Sequence, residues 1–306
     1  MTWNIENQSP LNGKVIIVTG GNSGLGFEAV KMFALKEAKV IMATRSVERA
    51  NEAIQIIKKD IPGADIEFMQ LDLSSKQSIK KFSETFLSKY HKLDILLNNA
   101  GVMTTPFMQT EEKIEFQQGI NHFGHFYLTA LLFKTMKNTP KSRIVNVSSI
   151  AHRFGDMNFD NLLYTKEKSY NKMKAYARSK LENLLFTYEL HKRVNEKGYD
   201  VKVIAAHPGV ASTNLGRYIK SKKSTNTVIN GFQKLFSHTA YQGALSLVRA
   251  CLDETLTGGE FIGPNQFIGM KGLPHIAKSN KKSHNQILQK QLWAYSEELM
   301  KIDFYV

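Results

Sequence analysis

Two side chains one helical turn apart carry the most chemistry in this 306-residue chain. Tyr176 and Lys180 fall four positions apart where the pattern predicts a helix over about 172–196, so they share a face. An ordinary phenol titrates near pH ~10, too high for a working base. An ammonium beside it stabilises the phenolate and draws that value toward neutrality, which makes the pair a proton shuttle. The same spacing also occurs on exposed helices with no chemical role, so its meaning depends on its surroundings. Ser148-Ser149 directly follows a short apolar run, where a hydroxyl can hydrogen-bond a reacting oxygen and steady its charge. Thr19-Gly20-Gly21-Asn22-Ser23-Gly24-Leu25-Gly26 joins a β-branched run to a helix. Glycines there let backbone N–H groups approach a pyrophosphate, and the helix N-terminus adds its positive end. Surface turns use Gly, Asn and Ser too; the position between first strand and first helix is what favours a phosphate cradle.

Those residues need a scaffold, and the hydropathy pattern supplies one. Apolar runs at 14–19, 39–43, 66–71, 93–97, 143–147 and 201–206, with a seventh at 260–262, predict strands. Helical patterns separate them. Ser46 caps a helix with Ala50, Ala53, Ile54 and Ile57 on one face, and Ser75 opens another with Ile79, Phe82 and Phe86. A long helix is expected at 111–136, with Ile120, Phe123, Tyr127 and Leu131 in one stripe, and others at 24–36, 172–196, 239–251 and 285–300. The stretch 151–171 is irregular. Such alternation forces right-handed crossovers and a parallel sheet covered on both faces, which uniformly apolar strands require. The fold class is therefore α/β: a single Rossmann-type doubly wound parallel sheet of about seven strands with helices on both faces. One domain over 1–306 is the simplest parse. Ligands of such a sheet bind outside the carboxyl ends of its strands, where the residues above fall.

Four motifs in order identify a family resemblance. The first turn reads Thr-Gly-x-x-x-Gly-x-Gly, Asn98-Asn99-Ala100-Gly101 follows the fourth strand, Tyr176-Ala177-Arg178-Ser179-Lys180 opens the long helix, and His207-Pro208-Gly209 follows the sixth strand. From Gly13 to about Pro264 the chain resembles the short-chain dehydrogenase/reductase family. Asn146-Val147-Ser148-Ser149-Ile150-Ala151-His152 and Asn121-His122-Phe123-Gly124-His125-Phe126 resemble its retinol dehydrogenase and WW-domain oxidoreductase subgroup, as does the 27-residue separation of Ser149 from Tyr176. The resemblance implies hydride transfer between a nicotinamide and a carbonyl or alcohol. It implies Tyr176 as acid and base, Lys180 as its tuner and a ribose ligand, Ser149 as the group orienting the substrate oxygen, and Asn121 as holder of a relay water. Cofactor contacts are expected from Gly20, Asn22, Ser23, Gly24, Leu25 and Gly26, from Asp72 and Leu73 at the adenine, from Asn98, Ala100 and Gly101, and from Pro208, Gly209, Val210 and Thr213. Ser148 should face away from Ser149, as neighbours on a strand do.

The second strand ends in Ala43-Thr44-Arg45-Ser46. A carboxylate there would accept bonds from a ribose diol and repel a 2′-phosphate; Arg45 offers a planar donor fork suited to phosphate. NADP(H) is thus favoured over NAD(H), with an Arg merely exposed at a strand end as the alternative. The segment 213–238 holds Leu215, Tyr218, Ile219, Val228, Ile229, Phe232, Leu235 and Phe236, and in this family that region folds over the substrate. An apolar aldehyde, ketone or alcohol suits such a cover, although the same residues could pack on the body of the protein without touching substrate.

Composition excludes other classes. The 41 Lys and Arg against 27 Asp and Glu give a charge of +14, but the lysines are scattered, without a basic helix or zinc-finger spacing, so a solvated surface is expected rather than nucleic-acid binding. One cysteine, Cys251, leaves no intrachain disulfide. His122 and His125 lack a third ligand at metal spacing, so no metal is expected. The N-terminus lacks the pattern of a signal peptide and no run is apolar enough for a transmembrane segment, which points to a cytoplasmic protein. Many members of the family this chain resembles pair into a homodimer through two long helices, an arrangement the extra helix in the C-terminal extension, about 275–306, could alter. A catalytically silent NADP(H)-binding sensor or scaffold is the alternative function; losing the tyrosine or the lysine would favour it, and both are present.

Overall fold

Alternate residues of the central strands enter opposite cores: in β1 (Val15–Thr19), Ile16 and Val18 face one and Ile17 the other. The computed structural model describes residues 3–164, 167–210 and 239–306. Thr213 and the expected covering segment 213–238 lie outside the described residues. Beside β1 stand β2 (Lys39–Thr44) and β3 (Ile66–Gln70) on one side, and β4 (Ile95–Asn98), β5 (Ser142–Val147), β6 (Val201–Ala206) and β7 (Phe261–Gln266) on the other. These seven pair in parallel, in the order β3-β2-β1-β4-β5-β6-β7, and β8 (Lys271–Ile276) returns antiparallel on the β7 edge. The eighth strand exceeds the seven expected. It contains Gly272 and Pro274, which read as a loop but are tolerated on an edge strand, where one row of N–H groups needs no partner.

The helices are α1 (Gly24–Leu35), α2 (Val47–Asp60), α3 (Lys76–Lys89), α4 (Gly124–Lys137), α5 (Lys172–Glu196), α6 (Ala240–Leu252) and α7 (Gln286–Met300). The apolar faces of α1, α2 and α6 fill one core, and those of α3, α4, α5 and α7 the other. Ser46 and Ser75 cap α2 and α3 by accepting from Arg49 N and Ser78 N. The helix expected at 111–136 starts later. Residues 111–115 form a turn, and Glu115 then caps a helical turn at Phe116–Gln118 by accepting from the Gln117 and Gln118 N–H groups (3.0 and 2.8 Å). Gly119–Phe123 is π-helical and runs on into α4. Apolar periodicity could not separate this start from a regular helix, because the break is set by a carboxylate cap.

α7 seats in the groove between α4 and α5. Trp293 packs 5.3 Å from the Phe126 ring and 6.0 Å from Phe186, Phe304 packs 5.5 Å from Phe126, and the Arg193 guanidinium lies 4.1 Å from Trp293. Among the described residues no helix is long and apolar enough to cross a membrane.

Candidate active site

Sheet order reverses between β1 and β4, and the cleft opens there, at the carboxyl ends of the strands. Its volume is about 220 Å³. Gly20, Asn22, Ser23, Gly24, Leu25, Gly26, Arg45, Asp72, Leu73, Ala100 and Gly101 all line it. Gly20 has φ +67, and a Cβ on it would stand 3.1 Å from the Ala100 α-carbon. A Cβ on Gly26 would collide with the Gly20 carbonyl and the Asn99 amide, so only glycine lets α1 start this close to β1. Ser23, at the head of α1, makes no side-chain cap bond, which leaves the first-turn N–H groups for a ligand.

Four expected contacts, Asn98, Pro208, Gly209 and Val210, do not line the cleft. Asn98 is buried and turned away from the cleft: its Nδ2 donates to Asn146 Oδ1 (2.8 Å) and Thr129 Oγ1 (3.1 Å). Its neighbour Asn99 lines the cleft instead, as alternation at a strand end requires. The turn at Pro208, Gly209 and Val210 packs against the β7–β8 hairpin rather than lining the cleft, with Val210 N donating to Met270 O (3.0 Å). Thr213 lies outside the described residues.

Thr19 ties the two cofactor turns together. Its Oγ accepts from Asn99 N and Ala100 N, both at 2.9 Å, while Asn99 Nδ2 donates to the Thr19 carbonyl (2.8 Å). His125 Nδ1 lies 3.1 Å from the Asn121 carbonyl, which can only accept, so Nδ1 carries the proton and Nε2 accepts from Thr19 Oγ (2.9 Å). Burial holds His125 and His122 at a pKa of about 3, hence neutral. His122 Nε2 meets Ser296 Oγ (3.2 Å) on α7. Both imidazoles thus serve local bonds.

The catalytic candidates gather where the cleft ends. A Cβ on Gly101 would stand 3.1 Å from Asn121 Oδ1 and 3.6 Å from Lys180 Nζ. Asn121 sits in the π-helical turn; its Oδ1 accepts from Val102 N (2.8 Å), and its Nδ2 donates to Val102 O (3.0 Å) and Ser179 Oγ (2.9 Å). Lys180 Nζ donates to Val147 O (2.9 Å) and lies 5.8 Å from the centre of the Tyr176 ring. Ser148 turns into the core and donates to Lys180 O (2.7 Å). Ser149 faces the other way, accepts from Ala151 N (3.2 Å), and lies on the side of the Tyr176 phenol, whose pKa it pulls down.

The electrostatics differ from the spacing argument in one respect. Tyr176 is pushed above the ordinary phenol value, because burial outweighs the hydrogen bond from Ser149 that pulls it down. Lys180 is only 3% exposed, and burial lowers its pKa to about 8, so it remains an ammonium at neutral pH. Proximity at i and i+4 is visible in a sequence; the desolvation that opposes it is not.

Two residues of the site carried no motif signal. Arg49, in the first turn of α2, lines the cleft four residues after Arg45. Arg178, inside the Tyr-x-x-x-Lys element, is buried and donates to Asp156 Oδ1, Asn161 O (2.8 Å) and Leu162 O (2.6 Å). It thereby clamps on α5 the irregular stretch that lengthens the chain between Ser149 and Tyr176.

Comparisons with known proteins agree with this geometry. The family described as short chain dehydrogenase matches residues 14–224. The human protein named retinol dehydrogenase 11 is 37% identical over 290 residues, covering 95% of this chain and 86% of its own. Human retinol dehydrogenase 14 is 38% identical over 268 residues, covering 83% of this chain and 79% of its own. A crystal structure of an uncharacterized protein from Mycobacterium Paratuberculosis superposes with a TM-score of 0.82 at 30% identity, covering 100% of both chains. The chain is a retinol-dehydrogenase-like member of the short-chain dehydrogenase/reductase family, an oxidoreductase of CH–OH and C=O groups that uses a nicotinamide cofactor.

Proposed function

We propose that this protein is an NADP(H)-dependent oxidoreductase that interconverts an apolar aldehyde or ketone with its alcohol, using Tyr176, Lys180, Ser149 and Asn121. The observation that carries the reading is the meeting of Gly101, at the inner end of the glycine-built cleft, with Asn121 Oδ1 and Lys180 Nζ. A dinucleotide fits the residues present: Gly20 and Gly26 keep the cradle open, the head of α1 is uncapped, and one of the three N–H donors of Lys180 is used, on Val147 O. A bound nicotinamide would supply or accept the hydride.

The protein's own part is proton handling and positioning. Ser149 donates to the substrate oxygen and to the Tyr176 phenol in turn. Tyr176, held protonated by burial, gives its proton to the developing alkoxide in reduction; in oxidation the phenol first loses its proton to solvent and the phenolate then takes the proton of the alcohol. Lys180 keeps its charge beside the phenol and offers its remaining N–H donors to a ribose. Asn121 fixes the Val102 backbone and Ser179, and its segment supports a relay water.

Arg45 and Arg49 at the mouth of the cleft support NADP(H) over NAD(H). Asp72 stands 3.8 Å from Arg45, so this carboxylate is already countered, and its other oxygen is occupied by Ser74 N (2.9 Å) and Ser74 Oγ (2.6 Å). The names of the relatives support an apolar substrate such as a retinoid. A cytoplasmic setting and a single domain over 1–306 belong to the same proposal. The test measures NADPH oxidation against a panel of aliphatic and retinoid aldehydes. Tyr176→Phe should lower turnover by roughly 10²- to 10⁴-fold, the usual worth of a positioned acid. Equal turnover by the two proteins defeats the reading.

A further inference from the structure

The segment after β8 lies beyond the residues matched by the family, 14–224, yet it reaches the turn that carries Ser149. Up to Ser148 the end of β5 is held by the sheet and by α5: Ser148 N donates to Ala206 O (2.8 Å) and its hydroxyl to Lys180 O (2.7 Å). Past that point the chain enters a 3₁₀ turn, Ile150–Phe154, capped by Ser149. The bond from Ala151 N to Ser149 Oγ is internal to that turn and moves with it. Where the hydroxyl points relative to α5 therefore depends on ties from outside the turn.

His152 and Asn280 make such a tie. The backbone N–H and the ring Nδ1 of His152 both bond the Ser149 carbonyl, at 3.0 and 2.6 Å. A carbonyl only accepts, so Nδ1 is protonated and Nε2 presents a lone pair. That lone pair accepts the Asn280 backbone N–H (3.2 Å), while Asn280 Nδ2 donates to the His152 carbonyl (3.0 Å). The imidazole is fully buried, and Phe261 of β7 packs edge-on 5.4 Å away. Asn280 is itself anchored, its Oδ1 accepting from Ser283 N (3.0 Å) and its carbonyl from Ser283 Oγ (2.6 Å). Two residues on, Lys282 Nζ donates to Gly155 O (3.0 Å) at the far end of the serine turn. One residue before, Ser279 Oγ pairs with Tyr188 OH (2.7 Å) on α5, the helix that carries Tyr176. Residues 279–282 thus grip both the serine turn and the tyrosine helix.

We propose that Asn280 and His152 are positioning residues that hold the Ser149 hydroxyl against Tyr176, which makes the C-terminal segment a working part of the active site. This rests on the roles proposed above for Ser149 and Tyr176. The dinucleotide cleft has no lining residue in this segment, so a loosened tie leaves cofactor binding intact and degrades proton delivery. A misplacement of about 1 Å at a reacting group costs on the order of 10²-fold in rate.

The test compares the wild type with Asn280→Ala, His152→Phe, which keeps the ring shape without its nitrogens, and His152→Asn, whose amide can still donate to the Ser149 carbonyl. Three readouts are needed: kcat for reduction of the best aldehyde of the panel, NADPH Kd by fluorescence, and the pH profile of alcohol oxidation. Asn280→Ala and His152→Phe should lose roughly ten- to a hundredfold in kcat. NADPH Kd should stay within about twofold. Their oxidation profiles should shift to higher pH, because Ser149 no longer pulls the phenol down. His152→Asn should recover part of the loss. Wild-type kcat and profile in both Asn280→Ala and His152→Phe, with Ser149→Ala inactive, overturn this inference and leave the function standing. A parallel loss of NADPH affinity and kcat in Asn280→Ala makes the tie merely structural and also overturns it. Full activity in Ser149→Ala and Tyr176→Phe removes the proposed function itself.

Discussion

Replacing Lys180 by methionine should make the cofactor-free protein more stable while removing its activity. Burial lowers the Lys180 pKa from 10.5 to about 8. At ~1.4 kcal/mol per pH unit, holding the ammonium in the folded state at neutral pH costs roughly 3 kcal/mol. The folded pKa is the lower of the two, so the unfolded chain binds the proton more tightly. The penalty is full below about pH 8, shrinks between there and about 10.5, and vanishes above. Methionine is close to lysine in length and fills the same space. The lost bond to Val147 O offsets about 1 kcal/mol, and that carbonyl is not orphaned, because Asn183 Nδ2 still donates to it (2.9 Å). Lys180→Met should therefore gain about 2 kcal/mol at pH 7. Between about pH 7 and pH 9.5 the wild type should recover roughly 2 kcal/mol relative to the variant. Urea denaturation of both proteins, stripped of cofactor, at the two pH values measures this directly. A variant less stable than wild type at pH 7, or a gap that does not narrow with pH, would refute the assignment of a strained buried ammonium.

Removing both guanidiniums with Arg45→Ala and Arg49→Ala should raise the NADPH Kd on the order of tenfold, because Arg45 is well exposed and its phosphate contact is weakened by solvent, and should leave the NADH Kd nearly unchanged. An equal loss for both nucleotides in titration calorimetry would remove the case for NADP(H). α7 fills the groove between α4 and α5, the face through which pairing was expected, so light scattering of the full chain should give the mass of one chain. A dimer crosslinked through α4 would contradict this.

The parts of the fold that follow local rules were legible. The periodicity of α5 predicts its bounds, Lys172–Glu196, and the caps at Ser46 and Ser75 stand where short polar residues precede apolar stripes. The cleft residues were legible for a different reason: a backbone that must approach phosphates needs glycine at particular positions, and Gly20 takes a positive φ while Gly26 has no room for a Cβ. What escaped is set by contacts distant in sequence. Asn98 and Asn99 are adjacent and chemically equal, and only the Asn146 and Thr129 side chains decide which of them enters the core. The His152–Asn280 bond joins residues 128 positions apart, which no periodicity encodes.

Burial is the property hardest to read from spacing, and it alters the chemistry most. Spacing alone gives an ammonium beside a phenol and so an acidified tyrosine. In the folded chain the two groups are desolvated together, and desolvation acts on them oppositely: it raises the phenol and lowers the ammonium. Lys180 still keeps its proton at neutral pH, and Tyr176 keeps its own more firmly than a phenol in water. The folded chain therefore keeps a proton on the group proposed to deliver one to an alkoxide. Among the described residues Ser149 pulls the phenol down, so the readiness of Tyr176 to give that proton up depends on how firmly the serine is held. A catalytic hydroxyl at the end of a strand thus needs an anchor outside its own motif, and residues 279–282 lie where that anchor must come from.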